Sequence, residues 1–527
     1  MSRDFQLPGR SPVIACEGMA ATSHPLATLT AIDTLRAGGS AADAAVAAVA
    51  VLCVIEPHMT GIGGDCFCLV SQPGKPVWGY NGSGRSGANA SFDALRAQGV
   101  CEIDRSVHSV TVPGALDAWE AILRVHGHFG LDRALERAIK YAEGGFPVAA
   151  RIAWDWPRYI GKLKADLGAA KHYLFNGAPP KEGDVICFRA LAQTLKTVAA
   201  KGARAFYEGE IAADMVATLT ARDSFLTAED FARHRGEVVA PISTNYRSLD
   251  LLEIPPSTQG LTALVMLNIL ENFDLKVLDP LGPERFHLVL EAARLGFVVR
   301  DTHIADPAHM RTPVADLLDK AFAKKLAAKI DLNKRAKLPN APIPGTDTVY
   351  LTVVDRDRMA VSLINTLYSH FGAGICTEKT GILLTNRGAC FTLEPGHPNA
   401  FGPNKRPLHT IIPALAMCDG RCDMSFGVMG AHYQPMGHVQ IVLNMLDYGM
   451  DVQQAIDAPR FFFDDGGRTV VEHGTPAATI AGLTARGHDV VFAPTPWGGA
   501  QTIKIDWQRG VLIAGSEPRK DGCALGY

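Results

Sequence analysis

The chain has 527 residues, 47% hydrophobic and 20% charged, with a formal net charge of −3. That length suits one large domain or two to three small ones. The near balance of charge excludes a global field drawing the protein to nucleic acid or to an anionic membrane. The basic cluster of Lys320, Lys324, Lys325, Lys329, Lys334, Arg335 and Lys337 reads as a solvated helix face running into a linker.

The opening residues, Met1 to Arg10, lack an apolar core and a small-residue cleavage site, so no secretory signal is read there. The longest uncharged apolar run, Ala44 to Ile55, is too short to span a bilayer. Eleven cysteines, an odd number in a large chain, fit reduced thiols and a cytoplasmic location. Cys66-Phe-Cys68 and Cys418 to Cys422 have no matching second pair or histidine set, so no metal is expected. Nor is a cofactor: Gly61-Ile-Gly-Gly-Asp65 has neither dinucleotide spacing nor a P-loop lysine.

In chain order, His24-Pro25 opens a first helix that Gly38-Gly39 closes. Ser40-Ala-Ala-Asp43 reads as a capping box for a second, apolar almost all round and therefore buried. Thr227-Ala-Glu-Asp230 repeats the box before a short helix ending near Gly236, and residues 286–300 predict another apolar helix. Strand-like segments are Phe67–Val70, Leu249–Ile254, Tyr350–Val354, Ala360–Ile364 and Gly381–Thr385, with a last hairpin from Thr502–Trp507 and Val511–Ala514. Helices dominate the first 330 residues and strands the remainder, with a helix over Val439–Leu446 among them. The boundary between the halves is a proline-punctuated linker, Asp331 to Asp347, long for a structureless connection and suited to cleavage.

That linker runs straight into Thr348 and a β-branched stretch, Val349 to Val354. Asp355-Arg-Asp-Arg358 reads as a turn into a returning strand. A cut before Thr348 would give one residue both a hydroxyl nucleophile and an α-amine of pKa about 7.7–8.0, able to take the hydroxyl proton. If the hairpin pairs as read, the hydroxyls of Thr348 and Thr366 fall at one end of the sheet.

The segments around Thr348 to Ser362, Phe371-Gly-Ala-Gly374, Thr380 to Leu384 and Pro398 to Pro407 resemble the γ-glutamyltransferase family of N-terminal-nucleophile hydrolases. The likeness spans nearly the whole chain, through Gly38 to Val46, Gly61 to Asp65, Val112-Pro-Gly114, Phe206 to Gly209, Pro255 to Gly260, Leu267 to Leu270, Asp447 to Gly449, Ala458 to Arg460 and Ser516 to Arg519. It implies an α+β, αββα four-layer sandwich built jointly by two fragments. One would comprise residues 1–347, mainly helical and ending in a flexible linker at 331–347; the other, residues 348–527, would carry the nucleophile.

The resemblance also implies self-cleavage between Asp347 and Thr348, a fragment heterodimer, and a Thr348 acyl-enzyme. Pairing of two such heterodimers is left open. Thr366 lines up with the threonine that holds the nucleophile, and Gly430-Ala431 with the oxyanion-hole pair. Four substrate contacts of the transferase, at five positions, are changed. Its arginine becomes Ser83 with Arg85 two residues on, its serine pair becomes His409-Thr410, its acidic residue becomes Cys390, and an asparagine becomes Tyr368. Without that acid a substrate ammonium has no counter-charge. The expected substrate is therefore a small carboxylate-bearing amide, as in the family's oxamate amidohydrolase branch. Its anion would be held by Arg85, His409 and Thr410, with Arg387 and His432 in reserve and Tyr368 alongside. The alternatives are glutathione hydrolysis or γ-glutamyl transfer, an acylase for bulkier amides, and a scaffold without chemistry.

Overall fold

A computed structural model describes residues 9–104, 106–338 and 348–527. Two seven-stranded antiparallel sheets face each other. The first runs Val13–Ala15, Val511–Ser516, Gly499–Asp506, Arg421–Met429, Ala414–Cys418, Leu249–Glu253, Ile242–Tyr246. The second runs Cys523–Gly526, Met19–Thr22, Val349–Val354, Ala360–Thr366, Asp65–Ser71, Trp78–Gly82, Glu237–Val239. Residues from both sides of position 348 therefore build both sheets.

The sheets meet through small and hydroxyl side chains. The Tyr350 ring occupies the space over Gly427, where a Cβ would lie 2.4 Å from it. The Tyr350 hydroxyl bonds Ser362 Oγ at 2.8 Å, and Thr352 donates to Ser425 Oγ at 2.6 Å. Each sheet is covered on its other face by helices, which gives the expected four layers. Helices Pro25–Arg36, Ala41–Ile55 and Ala115–His126 cover the second sheet; Gly260–Leu270 and Gln434–Leu446 cover the first, with Pro283–His303 packed on Gly260–Leu270. No helix among the described residues is long and apolar enough to cross a membrane.

The capping boxes at Ser40 and Thr227 are both formed. Asp43 replaces the usual glutamate because its carboxylate serves more than the box. It accepts from Ser40 N at 2.8 Å and from His128 N and Phe129 N of the following loop at 2.8 and 2.9 Å. The helix it starts, Ala41–Ile55, is buried along its whole length, as an all-round apolar helix must be.

Two sequence expectations are corrected. Helices dominate the amino-terminal half, and seven of its short strands complete the sheets. Met19–Thr22 has no strand-forming residue pattern and is extended because it pairs with Val349–Val354 on one side and Cys523–Gly526 on the other. Gly381–Thr385 is not a strand: Gly381 has φ +69° and the amides of Leu384 and Thr385 bond the loop carbonyls of Ile375 and Gly63. The linker is docked from Asp331 to Leu338. Arg294 donates to the carbonyls of Ala336 and Leu338, Ala336 N donates to Glu291, and Arg335 N donates to the Arg486 carbonyl. Residues 339–347, including Asp347, lie outside the described residues.

Gly63 and Gly64 let two backbones pass close together. A Cβ at Gly64 would stand 1.9 Å from the Thr366 carbonyl oxygen, and one at Gly63 2.1 Å from that of Leu383. Gly64→Ala is expected to destabilise the protein by ~1–3 kcal/mol or more through this overlap. Gly161→Ala, with nothing within 4 Å of the added carbon, is the neutral comparison. Thermal unfolding of both variants checks this; equal melting temperatures would remove the close-approach argument.

Candidate active site

The hairpin register places Val349 opposite Asn365 and hence Thr348 opposite Thr366. Their hydroxyl oxygens are 3.2 Å apart, both fully buried. On the next strand Asp65 pairs with Thr366. Thr366 Oγ1 also accepts from the Tyr368 amide at 2.8 Å, fixing the side chain that faces Thr348. The chain then turns sharply, with Tyr368 at φ +77° and Phe371 at φ +58°. A left-handed tyrosine is costly and persists where its surroundings over-determine it. Here the Arg387 guanidinium lies 4.2 Å from the centre of the Tyr368 ring, and the hydroxyl faces His432 Nε2 at 3.4 Å.

Arg387 is fully buried in a short 3-10 turn, Arg387–Cys390. One of its terminal nitrogens donates to Thr410 Oγ1 at 2.8 Å and meets Cys390 Sγ at 3.7 Å. Its Nε and its other terminal nitrogen have no hydrogen-bond partner among the described residues. A buried cation left in that state costs several kcal/mol unless an anion meets it.

The histidines are not cations. His409 Nε2 lies 3.0 Å from Asp65 Oδ2, with both side chains fully buried. Burial pushes His409 well below its ordinary range, helped by the Arg387 and Arg406 guanidiniums, while burial raises Asp65 to about 7. His432 Nδ1 accepts from Arg300 at 2.6 Å, and burial, with Arg300 and Arg387 beside it, holds the ring neutral. The expectation that His409 and His432 supply positive charge is thus corrected. Arg85 is corrected too. Its guanidinium is committed to Asp306 and Glu237, each at 2.8 Å, on a part-exposed surface.

Gly430 and Ala431 lie at the end of the strand Arg421–Met429, with φ +127° and +45°. Gly430 admits no side chain, since a Cβ would sit 2.9 Å from Gly498 Cα. Ala431 holds the left-handed conformation despite its methyl, a strain of ~1–2 kcal/mol. Sequence reasoning missed the residue joining this turn to the Arg387 group. Gln259 donates from Nε2 to the carbonyls of Thr410 and Ala431, at 2.7 and 2.8 Å, while its Oε1 accepts from Arg300. Arg300 and Asp65 were missed as well. Gln259 and Asp65 lie inside family-like motifs, which was the available signal; nothing marks Arg300 within its apolar helix.

Among the described residues, His287, Glu291 and His488 form a buried group of metal-ligand type. It fits a cation poorly. His287 Nδ1 and His488 Nε2 already share a 2.8 Å hydrogen bond, and burial, with His287 and the guanidiniums of Arg335, Arg294 and Arg486 beside it, lowers His488 to about 3.

Two antiparallel sheets between helical layers, with a buried threonine pair at one sheet end, define an N-terminal-nucleophile hydrolase architecture. The gamma-glutamyltranspeptidase family profile matches residues 27–527. The glutathione hydrolase-like YwrD proenzyme of Bacillus subtilis is 40% identical over 98% of this chain and 99% of its own. The oxamate amidohydrolase proenzyme of Klebsiella pneumoniae is 34% identical, over 98% and 99%. The solved cephalosporin acylase of Bacillus halodurans superposes with a TM-score of 0.93 at 37% identity, covering 100% of this chain and 99% of that one. The protein belongs to the γ-glutamyltransferase family, whose members here are proenzymes and hydrolases of amide bonds.

The buried Asp65 makes a pH prediction. Its folded-state pKa, about 7 against an ordinary 3.8, means the native protein keeps a proton that the unfolded chain has lost. Stability contributed by the protonated form is full below the ordinary value and is lost as pH rises through the folded one. Unfolding midpoints between about pH 4 and 7 should fall less steeply in Asp65→Asn than in the native protein. Some slope will remain, because Glu56 is also raised to about 7. Identical slopes would mean that Asp65 titrates normally.

Proposed function

We propose that the protein is a self-processing amidohydrolase that uses Thr348 to cleave a small amide whose acyl part carries a carboxylate. Oxamate, yielding oxalate and ammonia, is the simplest such substrate. The observation that carries this reading is Arg387: a buried guanidinium with two unpartnered nitrogens, stacked on Tyr368 two residues from Thr366. A carboxylate accepting from both nitrogens would neutralise it, and such charge-assisted bonds are the strong ones.

In maturation, Thr348 Oγ attacks the carbonyl of residue 347, and the peptide bond becomes an ester as the Thr348 nitrogen is released. Water hydrolyses that ester and leaves a free α-amine on Thr348. In turnover this amine takes the hydroxyl proton as Oγ bonds the substrate carbonyl carbon, while Thr366 orients the oxygen. The carbonyl oxygen gains charge against the Gly430-Ala431 backbone, where a donor of this type contributes ~3–4 kcal/mol. The amine leaves with the proton as the C–N bond breaks, and water resolves the acyl-enzyme.

The 40% identity to a glutathione hydrolase-like protein favours γ-glutamyl hydrolysis as the second reading. That reaction must neutralise a substrate ammonium near Cys390. The carboxylate whose charge reaches Tyr368 is Asp104, which accepts from Asn386 Nδ2 at 2.8 Å.

Three measurements test the proposal. Purified protein should run as two unequal bands with a new terminus Thr-Val-Tyr, and Thr348→Ala as one band near 56.4 kDa. Splitting of that variant at residue 347 would rule out the intramolecular attack. Ammonia release from oxamate with no turnover of a γ-glutamyl anilide supports the carboxylate reading, and the reverse pattern supports the second. Arg387→Met should process normally yet lose about 10²-fold in kcat/KM, equivalent to ~3 kcal/mol.

A further inference from the structure

Gln259 is fully buried where the helix Gly260–Leu270 begins. Its backbone is tied to the segment that carries Thr410. Gln259 N donates to the His409 carbonyl at 2.9 Å, and His409 N donates to that of Ser257 at 2.8 Å. From this anchor the side chain spans to the Gly430 turn. Its Nε2 donates to the carbonyls of Thr410 and Ala431, and its Oε1 accepts from Arg300 at 3.1 Å. A carbonyl can only accept and a guanidinium can only donate, so these three partners together demand an amide. An ionised glutamate has no hydrogen for either carbonyl, and methionine supplies neither function.

The contacts close into a ring. Arg300 also meets His432 Nδ1, and His432 Nε2 faces the Tyr368 hydroxyl. The Tyr368 ring lies against Arg387, which returns to Thr410 Oγ1. Within this ring Gln259 is the member that grips the backbone of the Gly430 turn. The Gly430 carbonyl accepts from Tyr433 N at 2.9 Å, and the Ala431 carbonyl accepts from Gln259 at 2.8 Å. Both peptide planes flanking Ala431 are thus pinned through their oxygens. Each plane is rigid and trans, so the Ala431 N–H is aimed opposite to the Gly430 carbonyl.

We propose that Gln259 is a positioning residue for amide cleavage. It holds Ala431 at φ +45°, against the strain of its methyl group, so that the Ala431 N–H stays aimed at the carbonyl oxygen of the substrate. Gln259 acts through the turn and does not touch the reacting atoms. The assignment rests on the reading in which the Gly430-Ala431 backbone receives that oxygen.

The test compares Gln259→Met with Gln453→Met in the full purified protein. Gln453 is a second buried glutamine outside the ring. It donates to Asp457 Oδ1 at 2.8 Å and the Ser516 carbonyl at 2.9 Å, and accepts from Ser516 N at 3.0 Å. Both variants are expected to melt at lower temperature. Well below those melting points, only Gln259→Met should lose kcat, by at least tenfold. KM should change less than threefold, because Arg387 keeps its own contacts. The loss is expected on oxamate or on a γ-glutamyl anilide, whichever the native protein hydrolyses. Gln259→Glu keeps the bond from Arg300 but not the two donations; it should lose kcat as well, and it carries the comparison if the methionine variant does not fold. A crystal structure of the variant should show Ala431 leaving the left-handed region. Native kcat in a folded Gln259 variant, an equal loss in Gln453→Met, or an unchanged Ala431 φ overturns the proposal. If neither amide turns over, the proposed function fails separately, and the conformation of Ala431 still decides the role of Gln259.

Discussion

The pairing of Val349–Val354 between Met19–Thr22 and Ala360–Thr366 is the constraint on which the remaining geometry depends. Every residue of that strand is buried, and its register alone sets Thr348 against Thr366. A slip by one residue would reverse the two faces of the strand, moving Tyr350 away from Gly427 and Thr352 away from Ser425. The Thr352–Ser425 bond and the packing of Tyr350 on Gly427, both between the sheets, thus lock the same register that aligns the two threonines. Because the strand is central, a cut before Thr348 leaves the sheet intact: the later fragment stays hydrogen-bonded to the earlier one on both sides.

Around this rigid frame the electrostatics are arranged by burial. A proton held between Asp65 and His409, and an imidazole kept neutral by Arg300, remove two charges from the vicinity of Arg387. Had Asp65 been fully ionised and directly paired with Arg387, the guanidinium would have had an internal counter-ion and little to offer a substrate. Instead the carboxylate bonds His409 Nε2 and the Gly84 amide, at 3.0 and 3.1 Å. The cation is thereby held short of anions by design of the loop positions, with Thr410 and the Tyr368 ring orienting it.

Most of the fold's long elements were legible in the sequence. The apolar helix after Ser40, the helix at 286–300, the hairpin beginning at Val349 and the terminal hairpin follow from periodicity and turn chemistry. What escaped were strands such as Met19–Thr22 and Val13–Ala15, whose extension comes from partners hundreds of residues away and not from their own composition. The site was legible in the same uneven way. Thr348 and Thr366 follow from chain order because a hairpin brings near residues together. The charge state of His409 and the engagement of Arg85 do not, since each depends on a carboxylate distant in sequence: Asp65 in one case, Asp306 and Glu237 in the other. Nearness to the position of the family's arginine put Arg85 first; burial and pairing put Arg387 first.

The difference between activities on this frame lies in which charges are left uncompensated. The threonine pair and the Gly430 turn treat any acyl group alike, so they cannot separate a γ-glutamyl amide from an oxamate. Discrimination must come from groups whose desolvation is balanced only by the correct substrate, and rejection by unpaired buried charge is far steeper than rejection by shape. On the proposed reading Arg387 stands in that position on the acyl side, where Cys390 offers no charge to an ammonium. A substrate whose acyl part carries a carboxylate satisfies that cation, whereas one carrying an ammonium beside its scissile amide leaves that charge buried against a thiol.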